Sequence, residues 1–161
     1  MLKRSLLAAV ALCATPAHAS MIWATDFTLV EDAIESTTGT PVRWTRTGGS
    51  CAPRSNGSVT MGYYTPSANH ITMCQNPRFG QSTLMNTLMH EGWHSVQDRC
   101  SRRPVFSDSE ITRHLTSSDR REIRKFYPVR QHRAEAEARA VANYFDDDPD
   151  GYVQLIRRHC A

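Results

Sequence analysis

The stretch LMHEGWHSVQDRC, residues 88–100, carries two histidines and a glutamate at a spacing that suits metal chemistry. His90 and His94 are four residues apart, which on a helix is about 400° of rotation, so both imidazoles lie on one face and can reach one ion. Glu91 lies about 100° further round, beside that ion. A catalytic zinc site has three protein ligands and an open position for water, whose proton a carboxylate can accept. The motif therefore predicts a zinc site with Glu91 as general base.

The third zinc ligand has to come from another part of the chain. In one common pattern the motif continues as H-x-x-G-x-x-H, but Gln97 and Cys100 occupy the last glycine and histidine positions here. The other common arrangement takes a glutamate from a later helix, and the alanine-rich stretch at 132–145 offers Glu135 and Glu137. Taken alone, such a stretch is typical of a solvated helix with Glu and Arg at favourable spacing.

Together, HEGWH at 90–94 and EAEARAVA at 135–142 resemble the gluzincin-type, zincin-like zinc metallopeptidases. The resemblance is to small, exported bacterial ones, in which the ligand glutamate begins an E-x-x-A-(D/N)-x-x-A helix. It puts the third ligand at Glu135, and small residues for close helix packing at Ala138 and Ala142. It implies an enzyme that hydrolyses peptide bonds in a peptide or protein substrate, with zinc as cofactor and the motif glutamate as base.

One position departs from that helix pattern. Arg139 stands where the family has Asp or Asn, and that acidic residue commonly orients a ligand histidine. Two interpretations stay open from the sequence. Either another group, Asp98 or Asp119, orients the histidine, or the third ligand is Glu137 instead of Glu135.

The resemblance implies two further features of the site. Zincins have an edge strand just before the motif helix that pairs with an extended substrate, and NHITMC at 69–74 stands in that place, with an ordinary sheet strand as the alternative. A gluzincin also needs a donor for the oxyanion that forms on attack. His114, Tyr127 and Tyr144 are candidates for this donor, whereas His132 is more typical of a surface residue.

The remaining pattern predicts the elements that position these residues. Apolar residues recur at helical spacing from Phe27, where Thr28 and Glu31 fit a capping box, and Gly39 with Pro41 ends the helix. Later runs predict strands at 41–47, 58–64 and 69–74, of which the last two form a hairpin. They also predict helices at 82–98, 130–146 and 150–159, and one or two helices within 108–126. This order predicts an α+β fold. The resemblance implies that this fold is zincin-like, with a small antiparallel sheet, a motif helix and a following glutamate helix.

The first residues have the pattern of an export signal. Lys3 and Arg4 precede a short apolar run, and a small-x-small site follows, so residues 1–19 are predicted to be a signal peptide and residues 20–161 one domain. The apolar run is too short to span a bilayer, which takes about 20 residues. A periplasmic or secreted protein without a membrane span is expected.

Four cysteines lie in the predicted mature chain, and an even number in an exported protein indicates two disulfides. Cys51 with Cys74 would bracket a β segment, and Cys100 with Cys160 would tie the C-terminal tail to the motif helix. This pairing is favoured among the three that are possible. A four-cysteine zinc site is the alternative, but no two cysteines have the C-x2-4-C spacing that such sites use.

The charge balance gives no indication of a nucleic-acid partner. The chain has 19 Lys and Arg against 16 Asp and Glu, a net charge of +3, and two of the basic residues belong to the predicted signal peptide. The local basic clusters at 102–104 and 119–125 are typical of a solvated surface, since acidic residues interleave the second.

Three functional hypotheses follow from these observations. The first is a zinc metallopeptidase. The second is an exported zinc-binding or interaction module, stabilised by two disulfides, that has the site without catalysis. The third is an interaction protein in which HEGWH at 90–94 is an accidental match on a polar helix face.

Overall fold

The computed structural model of the protein describes residues 17–46, 49–55, 57–100 and 103–161. Six α-helices and three β-strands form a mixed α+β fold in these residues, in the order α1 Ala17–Thr38, β1 Val42–Thr45, β2 Gly62–Thr65, β3 His70–Cys74, α2 Gln81–Arg99, α3 Asp108–His114, α4 Ser117–Phe126, α5 His132–Tyr144 and α6 Pro149–His159. Most of the expected signal peptide, residues 1–16, lies outside the described residues. Its cleavage after Ala19 stays a prediction.

The sheet is mixed, and its strand order is β1-β3-β2. Strand β3 runs parallel to β1, with Val42 beside Ile71, and antiparallel to β2, with Gly62 opposite Met73. The expected antiparallel sheet is therefore wrong for β1, and the expected edge strand at 69–74 is wrong because β3 is central. The hairpin places β2 on one side of β3, and the connection at 46–61 leaves β1 on the other. Residues 71–74 are all buried, as is typical of a strand covered on both faces.

Helix α1 is longer than the sequence pattern predicts. The expected cap at Thr28 is wrong, because the helix already begins at Ala17. The Thr28 hydroxyl donates to the carbonyl of Ala24 at 3.0 Å, as a threonine inside a helix does. The helix ends as expected before Gly39, whose φ of 68° is in the left-handed region that favours glycine.

Helix α2 packs one face into the main hydrophobic core. Trp93 is 1% exposed and anchors this face. Gly92 permits the close approach of two other helices, since a Cβ at this position would lie 2.5 Å from Cδ1 of Ile34 on α1 and 2.6 Å from the hydroxyl of Tyr152 on α6. Because residue 92 lies about 200° round the helix from each motif histidine, this packing turns the histidines away from the core.

Two disulfides hold the ends of these elements. Cys51 is bonded to Cys74 at the end of β3, and Cys100, the residue that ends α2, is bonded to Cys160 after α6. This is the pairing that the sequence favours. Such bonds are typical of an oxidising compartment. In the described part of the chain, no helix has both the length and the apolar character that crossing a membrane requires.

The helical stretch predicted at 108–126 is two helices, because Leu115 adopts an extended conformation between them. Each helix begins with a capping box, Ser107 with Glu110 in α3 and Thr116 with Asp119 in α4. Both helices bury apolar residues in a second, smaller cluster that also includes a residue of α5: Ile111, Leu115, Ile123 and Ala140. Helix α5 therefore lies between α2 and the α3–α4 pair, and its two sides have different neighbours.

Candidate metal centre

Three side chains from two helices converge at one point. Helix α2 supplies His90 and His94, whose Nε2 atoms are 3.2 Å apart. Helix α5 supplies Glu135, whose Oε1 lies 3.3 Å from His90 Nε2 and whose Oε2 lies 3.1 Å from His94 Nε2. The structure thus brings together the three residues that the sequence and the resemblance single out as zinc ligands.

The spacing of these donor atoms suits a small cation. Zinc binds histidine nitrogen and carboxylate oxygen at about 2.0–2.1 Å, and two such ligands at a tetrahedral angle are about 3.3 Å apart. Here the two histidine nitrogens are 3.2 Å apart, and each has a different oxygen of the Glu135 carboxylate as its neighbour, at 3.3 Å for His90 and 3.1 Å for His94. Two imidazoles and one carboxylate are also the ligand types of a catalytic zinc site. The residues present therefore fit a zinc ion.

The second nitrogen of His94 has a defined partner. Its Nδ1 lies 3.0 Å from Oε1 of Gln97. The amide nitrogen of Gln97 donates to the Ala134 carbonyl and to Glu137, each at 3.1 Å, so the amide oxygen is left to accept and His94 Nδ1 is the donor. The protonated ring can also donate from Nε2 to Glu135, 3.1 Å away, and the neutral ring that remains after loss of this proton has its lone pair on Nε2. This is the tautomer that a ligand histidine needs.

The electrostatics of the site favour an ionised Glu135. Burial raises the pKa of this carboxyl, but the hydrogen bonds with His90 and His94 outweigh burial and hold the pKa well below its usual range. Burial lowers the pKa of His94, yet the hydrogen bond with Glu135 and the charge of Glu91 outweigh it, so that pKa is raised. Ionised Glu135 can bind a cation at neutral pH, but a histidine ligand must first lose its proton, so the raised pKa of His94 opposes cation binding in acid.

Arg139 lies one helical turn after Glu135 and contacts it directly. Its Nε donates to Glu135 Oε1 at 3.0 Å. Its Nη1 donates to Asp119 Oδ1 at 3.2 Å and to Glu122 Oε2 at 3.1 Å. Asp119 therefore binds Arg139, which supports the glutamate of the site, and the predicted contact of Asp119 with a histidine is wrong.

Glu137 faces the other side of α5, and its partners are backbone groups. Its Oε1 accepts the N–H of Val105 at 2.7 Å and the N–H of Phe106 at 3.2 Å. Its Oε2 accepts from Gln97. The carboxylate thereby fixes the loop that leads into α3 to helix α5.

Glu91 lies beside the three donor atoms and is held by the sheet. Its Oε2 accepts the backbone N–H of Tyr64 on β2 at 2.8 Å. The Tyr64 hydroxyl donates to Asp98 at 2.7 Å, so Asp98 also has a partner other than a histidine. The ligand atoms of Glu91 and the two histidines lie within 4.8 Å of one another, and Glu91 can thus reach the same ion on distance alone. Glu135 is closer to both histidines, which favours Glu135 as the ligand.

The site opens into a cleft of about 470 Å³. Strand β2 forms one wall, and the segment between α4 and α5, with the start of α5, contributes Tyr127, Gln131 and Ala134. A recess of about 250 Å³ continues on the other side of His90 and Glu91, lined by polar side chains that include Asn86, Asp119, Arg139 and Asn143. The donor atoms are therefore accessible from the cleft.

Tyr127 is the oxyanion-donor candidate that lines the cleft. Burial, together with the charge of Glu135, raises the pKa of its hydroxyl to about 12, so it stays a hydrogen-bond donor at neutral pH. His132 Nε2 lies 2.9 Å from the Tyr127 carbonyl and supports this segment. The other two candidates lie in a separate recess, where the rings of His114 and Tyr144 stack edge to face with centroids 4.8 Å apart.

Comparisons with protein-family models, with curated proteins and with solved structures found no match.

Two residues around the site were not predicted from the sequence. Gln97 stands at the glycine of the H-x-x-G-x-x-H pattern, but its position three residues after His94 also places it on the same helix face. Tyr64 contacts Glu91 through its backbone N–H, which has no signature in the side-chain pattern.

Proposed function

We propose that the protein is a zinc-dependent metallopeptidase of the zincin-like, gluzincin type. The observation that carries the proposal is the convergence of His90, His94 and Glu135 at the wall of a cleft and beside Glu91, with contacts of 3.1 to 3.3 Å among the two Nε2 atoms and the two carboxylate oxygens. These three side chains would hold the ion. Zinc in such a site supplies a Lewis acid that polarises a carbonyl and makes a water molecule more acidic.

Glu91 acts as the general base in this proposal. The N–H of Tyr64 holds one carboxylate oxygen and so fixes the orientation of Glu91 at the cleft wall. From there Glu91 can accept the proton of a water molecule that attacks a peptide carbonyl and return it to the departing amine. The hydroxyl of Tyr127 is the proposed donor to the oxyanion that forms on attack.

An extended peptide is the substrate that suits the cleft. Strand β2 is at the edge of the sheet in the described part of the chain, and its residues Gly62, Tyr63 and Tyr64 line the cleft. A peptide can add to such an edge through main-chain hydrogen bonds. The pairing role that the resemblance assigns to 69–74 is therefore proposed for β2 instead. The two disulfides support a periplasmic or secreted location for this activity.

The test compares the wild-type protein with Glu91→Gln. Zinc content is measured on both proteins after purification, and hydrolysis is followed on a library of quenched fluorescent peptides. We expect one bound zinc ion in each protein. We also expect a loss of hydrolysis of about 10²- to 10⁴-fold in the variant, because a general base contributes a factor of that size.

The other outcomes separate the competing hypotheses. Zinc binding by a wild-type protein that hydrolyses no peptide would favour the non-catalytic zinc-binding module. A wild-type protein that binds no zinc would overturn the proposal and favour the accidental motif. Undiminished hydrolysis by the Glu91→Gln variant would remove Glu91 from the mechanism.

A further inference from the structure

The carboxylate of Glu135 has a second contact besides the histidines, and this contact is a charged one. Glu135 is 3% exposed, and its Oε1 lies within hydrogen-bond distance of two donors, His90 Nε2 at 3.3 Å and Arg139 Nε at 3.0 Å. Oε2 faces His94. A rotation of the carboxylate away from the histidines would break the bond with Arg139, so the guanidinium restricts Glu135 to the orientation that faces the histidine pair.

The guanidinium is itself fixed from a different helix. Its Nη1 is shared between Asp119 and Glu122 of α4. Asp119 is in turn held by Thr116, whose N–H and hydroxyl donate to Oδ2 at 2.8 and 2.7 Å, and by the Asn143 amide at 3.2 Å. Arg139 thus connects the capped start of α4 to the glutamate of the site.

We propose that Arg139 is a positioning residue, which holds the Glu135 carboxylate at His90 and His94 and thereby sets the zinc affinity of the site. The inference rests on the proposed zinc site, but not on the proposed hydrolysis. It also gives a function to the one residue that departs from the glutamate-helix pattern. In this protein the residue at that position supports the ligand glutamate, and Gln97 is the side-chain partner of His94.

The charge of Arg139 and its contact with Glu135 have opposite expected effects on zinc affinity when Arg139 is removed. Its positive charge repels a dication, so a variant that loses only this repulsion would bind zinc more tightly. Loss of the fixed orientation would instead weaken binding, because an unrestrained Glu135 has to be ordered when the ion binds. Partners behind metal ligands typically contribute about 10- to 100-fold in metal affinity. Since Asp119 and Glu122 already offset the charge of Arg139, we expect the loss of a fixed Glu135 orientation to outweigh the loss of repulsion, so that zinc binding weakens.

Two substitutions distinguish these effects. Arg139→Met removes both the charge and the donors, whereas Arg139→Lys keeps the charge and loses the planar fork that reaches Glu135 and α4 together. Arg133→Met is the matched control on the same helix, because Arg133 pairs with Asp108 at 3.0 Å and donates to the Phe106 carbonyl, and none of these residues lines the cleft. Zinc dissociation constants are measured by competition with a chromogenic chelator. Thermal unfolding of the metal-free proteins verifies that each variant folds.

We expect zinc binding to weaken about 10- to 100-fold in R139M and several-fold in R139K, and to stay within twofold of wild type in R133M. The Co²⁺-loaded proteins provide a second measurement, since their visible absorption depends on ligand geometry. That spectrum should change in R139M and not in R133M, an effect that a general loss of stability would not produce.

Three results would contradict the inference. If R139M binds zinc as tightly as wild type or more tightly, Arg139 does not position Glu135. If zinc binding weakens in R139M but is unchanged in R139K, the planar guanidinium is not needed to position Glu135. A wild-type protein that binds no zinc would overturn both this inference and the proposed function, whereas equal affinities of wild type and R139M would overturn this inference alone.

Discussion

Helix α5 buries two carboxylates, Glu135 and Glu137, only two residues apart, and the comparison of their surroundings shows what makes a carboxylate a candidate ligand. Both are less than 10% exposed. On the cleft side, Glu135 meets imidazole nitrogens and a guanidinium. On the far side, Glu137 meets the backbone N–H groups of a loop. Imidazoles can exchange a proton for a metal ion, whereas amide N–H groups cannot, so only the cleft side is suited to bind a cation.

Two of the candidate oxyanion donors, Tyr127 and Tyr144, also lie on different sides of α5. Tyr127 lies in the cleft beside Glu135, and Tyr144 packs against His114 and Phe106 on the far side. The residue types on the two sides are thus similar, and it is their neighbours in the folded protein that differ.

The largest expected effect comes from replacing each of the two glutamates with glutamine. Glu135→Gln should weaken zinc binding by more than about 100-fold, because it removes an anionic ligand, whereas Glu137→Gln should weaken it far less, because Glu137 is linked to His94 only through Gln97. Isothermal titration with zinc measures both. Glu137→Gln should instead destabilise the metal-free protein by about 1–3 kcal/mol, since it weakens the buried hydrogen bonds to Val105 and Phe106. Equal zinc affinities in the two variants would remove the distinction between the two sides of α5.

A smaller effect is expected from the two tyrosines. Tyr127→Phe should lower kcat for peptide hydrolysis by about 10²-fold with zinc still bound, because loss of an oxyanion donor typically costs 10²- to 10³-fold. Tyr144→Phe is the control, since its ring contacts are retained and its hydroxyl lies outside the cleft. Because the pKa of Tyr127 is raised to about 12, no loss of activity from its ionisation should be seen near neutral pH. A Tyr144→Phe variant as impaired as Tyr127→Phe would contradict the assignment.

The smallest effect concerns the stability of the metal-free protein in acid. The pKa of Glu135 is lower in the folded protein than its ordinary value of 4.5. Its contribution to the free energy of unfolding is therefore present above pH 4.5 and is lost as the pH falls below that value toward the folded-state pKa. Urea denaturation between pH 7 and pH 3 should show a shallower decline of stability in Glu135→Gln than in wild type. Parallel curves for the two proteins would show that the histidine contacts do not stabilise ionised Glu135.

The sequence predicts the local parts of this arrangement well. Helix α2 lies within a residue or two of the predicted 82–98, because apolar periodicity is a local property of the chain. The two disulfides pair as expected, and His90 and His94 share one face because helix geometry alone determines it.

The parts that could not be predicted depend on distant partners. The side of β3 on which β1 pairs, and hence the central position of β3, is decided by contacts between separate segments and not by the composition of either strand. The sequence identified Arg139 and Asp119 as residues that mattered. It did not show that they bind each other, because they are 20 residues apart on different helices.

The hydrogen bond between the Tyr152 hydroxyl and the Met89 carbonyl spans 63 residues and adjoins the first histidine of the site. The same two helices are also joined by the Cys100–Cys160 disulfide. A chain synthesised from its N-terminus presents both histidines long before Tyr152 exists, and until then the face of α2 at Gly92 lacks one of its packing partners. The packing that orients the two histidines is therefore complete only after α6 has been synthesised, and removal of residues 150–161 should perturb the candidate site although none of them lines it.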